Sequence, residues 1–183
     1  MKRFFLAGIL FIMLTGYVKA QGREFGIRAG LQTALMYNQG ELVENTISSV
    51  YGGFYIGRPL GSTFFTSLVY GLEYAQNGYR TNESNLRRIH YLSVPVGWRF
   101  HFGPFYLQPG IDANFKISEK LLADGENVLD EDNSSMFFDL PLHFGAGVKF
   151  TDILLEARFH YGFLDVNQGN RNAYLQVGLA YSF

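Results

Sequence analysis

From about residue 24 to Phe183 the chain changes character at every step: bulky apolar or aromatic side chains hold one parity, and glycine, polar and charged side chains hold the other. In the last stretch Ala173, Leu175, Val177, Leu179, Tyr181 and Phe183 alternate with Tyr174, Gln176, Gly178, Ala180 and Ser182. A period of two belongs to the β-strand, whose successive side chains point to opposite faces. Turn residues divide the pattern into eight segments, at about 25–37, 50–58, 63–77, 88–102, 105–118, 136–150, 153–164 and 172–183. The sequence therefore predicts an all-β chain of eight antiparallel, up-and-down strands.

Side-chain volume decides which face lies inside. The bulky parity collects Phe25, Ile27, Leu31, Phe54, Leu72, Trp98, Ile111, Phe144, Leu155 and Phe159, among many others. The opposite parity is rich in glycine and carries Arg28, Glu73, Arg99, Asp112, Lys116, Asp139, His143, Lys149, Glu156, Arg158 and His160. An eight-stranded barrel has just enough interior for its side chains, so the bulky set cannot fit within it. A soluble up-and-down barrel would point its apolar residues inward; here the polarity is inverted, and the bulky face needs lipid. A charge on that face near the midplane costs about 2–4 kcal/mol, which explains why the charges keep to one side. Arg58 breaks the parity beside a short turn, where its long stem can snorkel.

Mean hydropathy resembles that of a soluble protein, and beyond the N-terminus no segment is apolar enough to cross a membrane as a helix. Barrel strands escape that test because each averages two faces. The abundance of tyrosine, phenylalanine and glycine, at 12, 18 and 21 residues, is what a membrane barrel requires.

The linkers alternate in length. Long polar connections at Asn38–Ser49, Gly78–Arg87, Glu119–Ser135 and Asp165–Arg171 are separated by short ones at Pro59–Ser62, Gly103–Pro104 and Thr151–Asp152. All long loops then share one end, which predicts external loops, periplasmic short turns and both termini in the periplasm. Aromatic girdles are expected at the two ends: Phe25, Phe64, Phe102, Phe105, Phe150, Tyr181 and Phe183 below, and Tyr37, Tyr74, Phe138 and Phe163 above. Pro95, Pro109 and Pro141 lack the amide donor that a closed ladder uses, so bulges or missing ladder bonds are expected there.

Residues 1–20 read as a signal peptide. Lys2 and Arg3 precede an apolar run from Phe4 to Leu14, followed by a Val18-Lys19-Ala20 cleavage site, and the run falls short of the ~20 residues a spanning helix needs. Residues 21–183 then form one barrel domain, located in the outer membrane of a Gram-negative cell. The absence of cysteine rules out a disulfide framework. A net charge of −1 with no long basic run gives no basis for a nucleic-acid partner.

Several short segments resemble the PorT-like outer-membrane β-barrel family of the Bacteroidetes: Gly26-Ile-Arg-Ala-Gly-Leu31, His90-Tyr-Leu-Ser-Val-Pro-Val96, Leu107-Gln-Pro-Gly110, Phe144-Gly-Ala-Gly-Val148 and the aromatic C-terminus. The resemblance implies an eight-stranded outer-membrane barrel and, from the member that names the family, a role in exporting surface proteases through a dedicated secretion system. It supplies no catalytic motif.

The inward charges are nearly balanced in sign, which points to a structural network of ion pairs plugging the barrel rather than to a channel. Glu156, Arg158 and His160 share a face of strand seven beside Asp139 and His143 of strand six, an arrangement with acid–base potential. A hydrolase would also need a nucleophile, for which Ser93 and Ser182 are the inward candidates. The loop Glu119–Ser135 holds Glu119, Asp124, Glu126, Asp130, Glu131 and Asp132, but not at calcium-loop spacing. No catalytic, cofactor or metal residue is assigned. The expected function is that of a non-enzymatic envelope barrel contacting lipid and envelope or secretion-system proteins, the alternatives being a small-solute or hydrophobic-ligand transporter and a lipid-modifying enzyme.

Overall fold

A computed structural model of the chain describes residues 23–38, 41–42, 46–61, 65–82, 85–123, 126–129, 134–167 and 170–183. Eight long strands carry the fold: β1 (Glu24–Asn38), β2 (Ile47–Pro59), β3 (Thr66–Asn82), β4 (Asn85–Phe102), β5 (Phe105–Ala123), β6 (Pro141–Phe150), β7 (Ile153–Asn167) and β8 (Asn170–Ser182). Each pairs antiparallel with its sequence neighbours, and β8 returns to pair with β1 from Gly26↔Ser182 to Asn38↔Asn170. The ring is closed, so no long strand is left with an unpaired edge. Two-residue rungs at Glu41–Leu42, Glu126–Asn127 and Phe138–Asp139 extend it at one end.

The expected strands are all present, but several run further than their apolar pattern. The Gly78–Arg87 and Asp165–Arg171 connections are not long loops: β3 and β4 pair to Asn82↔Asn85, and β7 and β8 pair to Asn167↔Asn170. A strand above the lipid band needs no apolar face, so polar residues continue the ladder there. The expected sixth strand, 136–150, is interrupted, its body beginning at Pro141 after the Phe138–Asp139 rung. The expected leader, Phe64, Asp124, Asp130, Glu131 and Asp132 lie outside the described residues, as do the side chains of Leu35, Tyr37 and Glu126.

The prolines act as anticipated. The β3–β4 ladder omits the rungs opposite Val94 and Pro95, the β4–β5 ladder omits Trp98–Pro109 and Arg99–Gln108, and β6 starts at Pro141, each without a change of register. A bulge in the β4–β5 pair changes which side chains face the lumen. Between His90↔Ser118 and Tyr91↔Lys116 the β4–β5 register shifts by one residue, so Lys116 and Glu119 both turn inward although their parities differ.

Facing outward are Ile27, Leu31, Phe54, Trp98, Phe144, Leu155 and Leu179, all exposed. Facing inward and buried are Arg28, Gln32, Glu73, Arg99, Asp112, Asp139, His143, Glu156, Arg158, His160 and Gln176. Aromatic pairs mark both ends. Phe25 stacks on Phe183 at 5.8 Å and Phe65 meets Phe102 at 5.4 Å at the short-turn end, while Phe115–Phe138 at 5.4 Å and Tyr161–Phe163 at 6.3 Å lie at the other. Positive φ values at Gly61, Gly103 and Thr151 fall in the three short turns, where a tight reversal requires them.

Candidate functional site

The lumen concentrates the polar chemistry of the chain, and glycine and tyrosine shape it together. Tyr51, Tyr55, Tyr91, Tyr106 and Tyr174 all point inward and are buried. A Cβ on Gly26 would stand 2.5 Å from the Tyr55 ring, one on Gly147 2.5 Å from the Tyr106 ring, and one on Gly178 2.5 Å from the Tyr51 hydroxyl. The inward glycines are the recesses that accept these rings.

Charges fill the remaining space in tiers. Near the short turns Glu24 meets Lys149 at 3.0 Å and Arg99 at 3.9 Å, and accepts a hydrogen bond from Tyr55 at 3.0 Å. In the middle, Arg158 donates a fork of two bonds to Glu73, at 3.0 and 2.7 Å, and Arg28 reaches Glu73 at 3.3 Å and Glu156 at 3.7 Å. Tyr51 and Tyr106 donate to the two oxygens of Glu156 at 3.3 and 3.2 Å. The guanidinium of Arg28 lies 4.5 Å over the Tyr55 ring and that of Arg99 4.4 Å over Tyr106, so ring faces share the cations with the carboxylates.

The next tier holds Asp112, with Oδ1 2.7 Å from His143 Nδ1 and Oδ2 2.6 Å from His160 Nδ1. Tyr174 stacks on His160 at 4.2 Å, and beyond it Gln176 and Gln32 carry the chain of hydrogen bonds to β3. Asp139 accepts from Asn172 at 2.9 Å and from the Leu140 amide at 2.9 Å.

Above the bulge a clasp ties the 134–137 segment to the barrel. Glu119 accepts from Arg87 Nε at 2.7 Å, Lys116 Nζ at 2.7 Å, the Ser135 amide at 2.9 Å and the Ser135 hydroxyl at 2.7 Å. Burial pushes the Glu119 carboxyl up, but these donors outweigh it and hold the group below the ordinary glutamate value.

Of the eleven inward polar residues singled out in the sequence, nine sit deep in the lumen; Lys116 and Lys149 sit at opposite rims, each partly exposed. Glu119 is not a solvated loop carboxylate, as its acidic neighbourhood suggested, but a strand residue whose side chain is covered by its donors. Glu24, Arg87, Tyr51, Tyr55, Tyr91, Tyr106, Gln32, Asn114 and Asn172 were missed, whereas Tyr174 and Gln176 already stood on the inward parity of the last strand. Extending the parity into the strand ends would have recovered Glu24 and Arg87, whereas Glu119 lies past a bulge that parity cannot cross. The hydrogen bonds of His143 and His160 go to Asp112 and Gln176, and Ser182 bonds the Asp152 carbonyl at the short-turn end instead.

A family model described as "Outer membrane protein beta-barrel domain" matches residues 18–168. Among solved structures, the chain is similar to Neisserial surface protein A (14% identity, TM-score 0.63, covering 87% of this chain and 97% of that one). It is also similar to Ail, the attachment invasion locus protein of Yersinia pestis (17% identity, TM-score 0.55, covering 87% and 98%). Ail has also been crystallised with the heparin analogue sucrose octasulfate, and that structure matches with 15% identity and a TM-score of 0.54, covering 88% of this chain and 99% of that one. At these identities the likeness is one of fold. No curated protein sequence matches the chain.

Proposed function

The chain belongs to the outer membrane protein β-barrel domain family, and from that premise we propose that it is a non-enzymatic structural or interaction protein of the cell envelope, acting through its extramembrane hairpins rather than its lumen. The observation that carries this reading is the closed lumen: five buried tyrosines and a cross-linked set of ion pairs occupy the space a solute would need. In planar bilayers the folded protein should show no single-channel conductance, and stable unitary currents would overturn the reading.

The clustering of the start of β1 and the end of β8 with the three short turns at one end supports a periplasmic position for that end and an external one for the long hairpins. Because the chain has no cysteine, Asn82→Cys and Pro104→Cys can be compared in intact cells with a membrane-impermeant maleimide; labelling of the first alone is expected. We read residues 1–20 as a cleaved leader, so the mature N-terminus should be Gln21. The PorT-like resemblance favours a secretion apparatus as partner. Cross-linking from the hairpins in whole cells should then capture envelope proteins of that apparatus.

A second reading, a hydrophobic-ligand transporter, is favoured by an apolar recess on the outer face, where Ala146, Gly147 and Ala157 lie low between Leu107, Leu155 and Val177. Transport would require the Tyr106 ring behind Gly147 to move.

A further inference from the structure

We propose that Asp112, His143 and His160 form a lumenal binding site for a first-row divalent transition-metal ion of the zinc type. The three residues project from β5, β6 and β7, each is at most 3% exposed, and their ligand atoms lie within 4.8 Å of one another. The inference does not rest on the proposed envelope role.

The protonation pattern around His160 is set from the far side of the barrel. Gln32 Nε2 donates to the Gln76 carbonyl at 2.9 Å, and a backbone carbonyl only accepts, so the Gln32 amide cannot be reversed. Its Oε1 must then accept from Gln176 Nε2 at 2.7 Å, which turns Gln176 Oε1 toward His160 Nε2 at 3.0 Å. That nitrogen has to carry the hydrogen. A neutral imidazole protonated at Nε2 presents a bare lone pair at Nδ1, and this lone pair stands 2.6 Å from Asp112 Oδ2. Two electron pairs at that separation require a cation between them.

Beside the site itself, a divalent ion answers more negative charge than a single proton does. Among the described residues Asp112 and Asp139 are lumen carboxylates without an arginine or lysine partner, and they interact electrostatically with each other. A proton would offset one of these charges and a divalent ion would offset both. The donor set of two imidazoles and a carboxylate suits zinc and its neighbours. A ligating histidine usually donates its far nitrogen to an oxygen acceptor, the part that Gln176 Oε1 plays for His160. His143 is seated against Gly110 and Gly97, where a Cβ would come within 2.4 and 3.0 Å of its ring, so its Nδ1 is held toward Asp112. The Tyr174 hydroxyl donates to Asp112 Oδ2 at 3.4 Å and so helps to orient that carboxylate. Metal–ligand bonds of about 2.0–2.2 Å need the side chains to open only modestly around the ion.

The test uses the full mature chain without a polyhistidine tag, refolded from urea into detergent micelles with Co2+ and freed of excess metal by gel filtration. One Co2+ per folded barrel, with visible d–d absorption, is expected for the unmodified protein and for His101→Gln at the short-turn end. His160→Gln and Asp112→Asn should lose it, and Gln176→Leu should weaken it by about 10–100-fold. Heat-modifiable migration shows which variants fold. If the substitutions prevent folding, the unmodified protein still decides: less than stoichiometric Co2+ overturns the proposal. So does 15N NMR showing both His160 nitrogens protonated in the presence of saturating Zn2+, because a proton then occupies the place assigned to the metal.

Discussion

Replacing Glu73 tests whether the lumen is a set of coupled ion pairs or merely polar filling. Glu73 is 3% exposed, accepts both prongs of the Arg158 fork at 3.0 and 2.7 Å, and lies 3.3 Å from Arg28. Glu73→Gln keeps the shape but removes the charge, leaving Arg158 with Glu156 at 3.7 Å as its remaining carboxylate. Breaking a buried pair on one side costs about 3–5 kcal/mol, because the surviving charge stays desolvated. Arg28 retains Glu156 at 3.7 Å, which places the expected loss toward the lower end of that range. Replacing both partners, as Glu73→Gln with Arg158→Met, removes the stranded cation and should be less destabilising than Glu73→Gln alone. Urea unfolding in phospholipid vesicles, followed by heat-modifiable migration, measures both of these variants and Arg158→Met alone. A loss below about 1 kcal/mol for Glu73→Gln, the range of exposed pairs, would refute the argument. A double variant as unstable as the sum of the singles would refute it too.

Other consequences are equally specific. A Cβ on Gly30 would lie 2.3 Å from the Val177 carbonyl oxygen across the closing β1–β8 seam, whereas one on Gly52 meets nothing nearer than 3.5 Å. Gly30→Ala should therefore cost about 1–3 kcal/mol in the same assay and Gly52→Ala much less. Leu31 is 69% exposed on the outer face, and Leu31→Arg should cost about 2–4 kcal/mol in vesicles. The Glu119 clasp has a pH signature: its carboxyl is held below the ordinary value of 4.5, so its contribution is complete above that value and is lost as pH falls through the lowered one. Amide exchange at Ser135 should lose protection only in that acidic window, and uniform protection across it would contradict the clasp.

The legible and illegible parts of this chain divide along physical lines. Alternation exposes the faces of β8 and the polarity of the barrel because lipid penalises every exception. It hides the inward tyrosines, because Tyr51 and Tyr106 look like girdle or strand residues until Gly178 and Gly147 are seen to make room for them. It also misreads strand ends. Above the lipid band Tyr79 and Arg80 carry no face constraint, yet their backbones still pair. The Asp112–His143–His160 grouping depends on the registers Gly110↔His143 and His160↔His143, which no local pattern specifies.

The central claim is the inversion itself: the bulky parity faces lipid and the polar parity fills the barrel. Trp98, the single tryptophan of the chain, is 55% exposed on the outward face of β4, beside the buried Arg99. Its fluorescence in vesicles made with brominated acyl chains measures that orientation directly. Strong quenching by the brominated chains, with little effect of aqueous iodide, is the predicted result. Quenching by iodide with none from the brominated lipid would place this face in water and contradict the account.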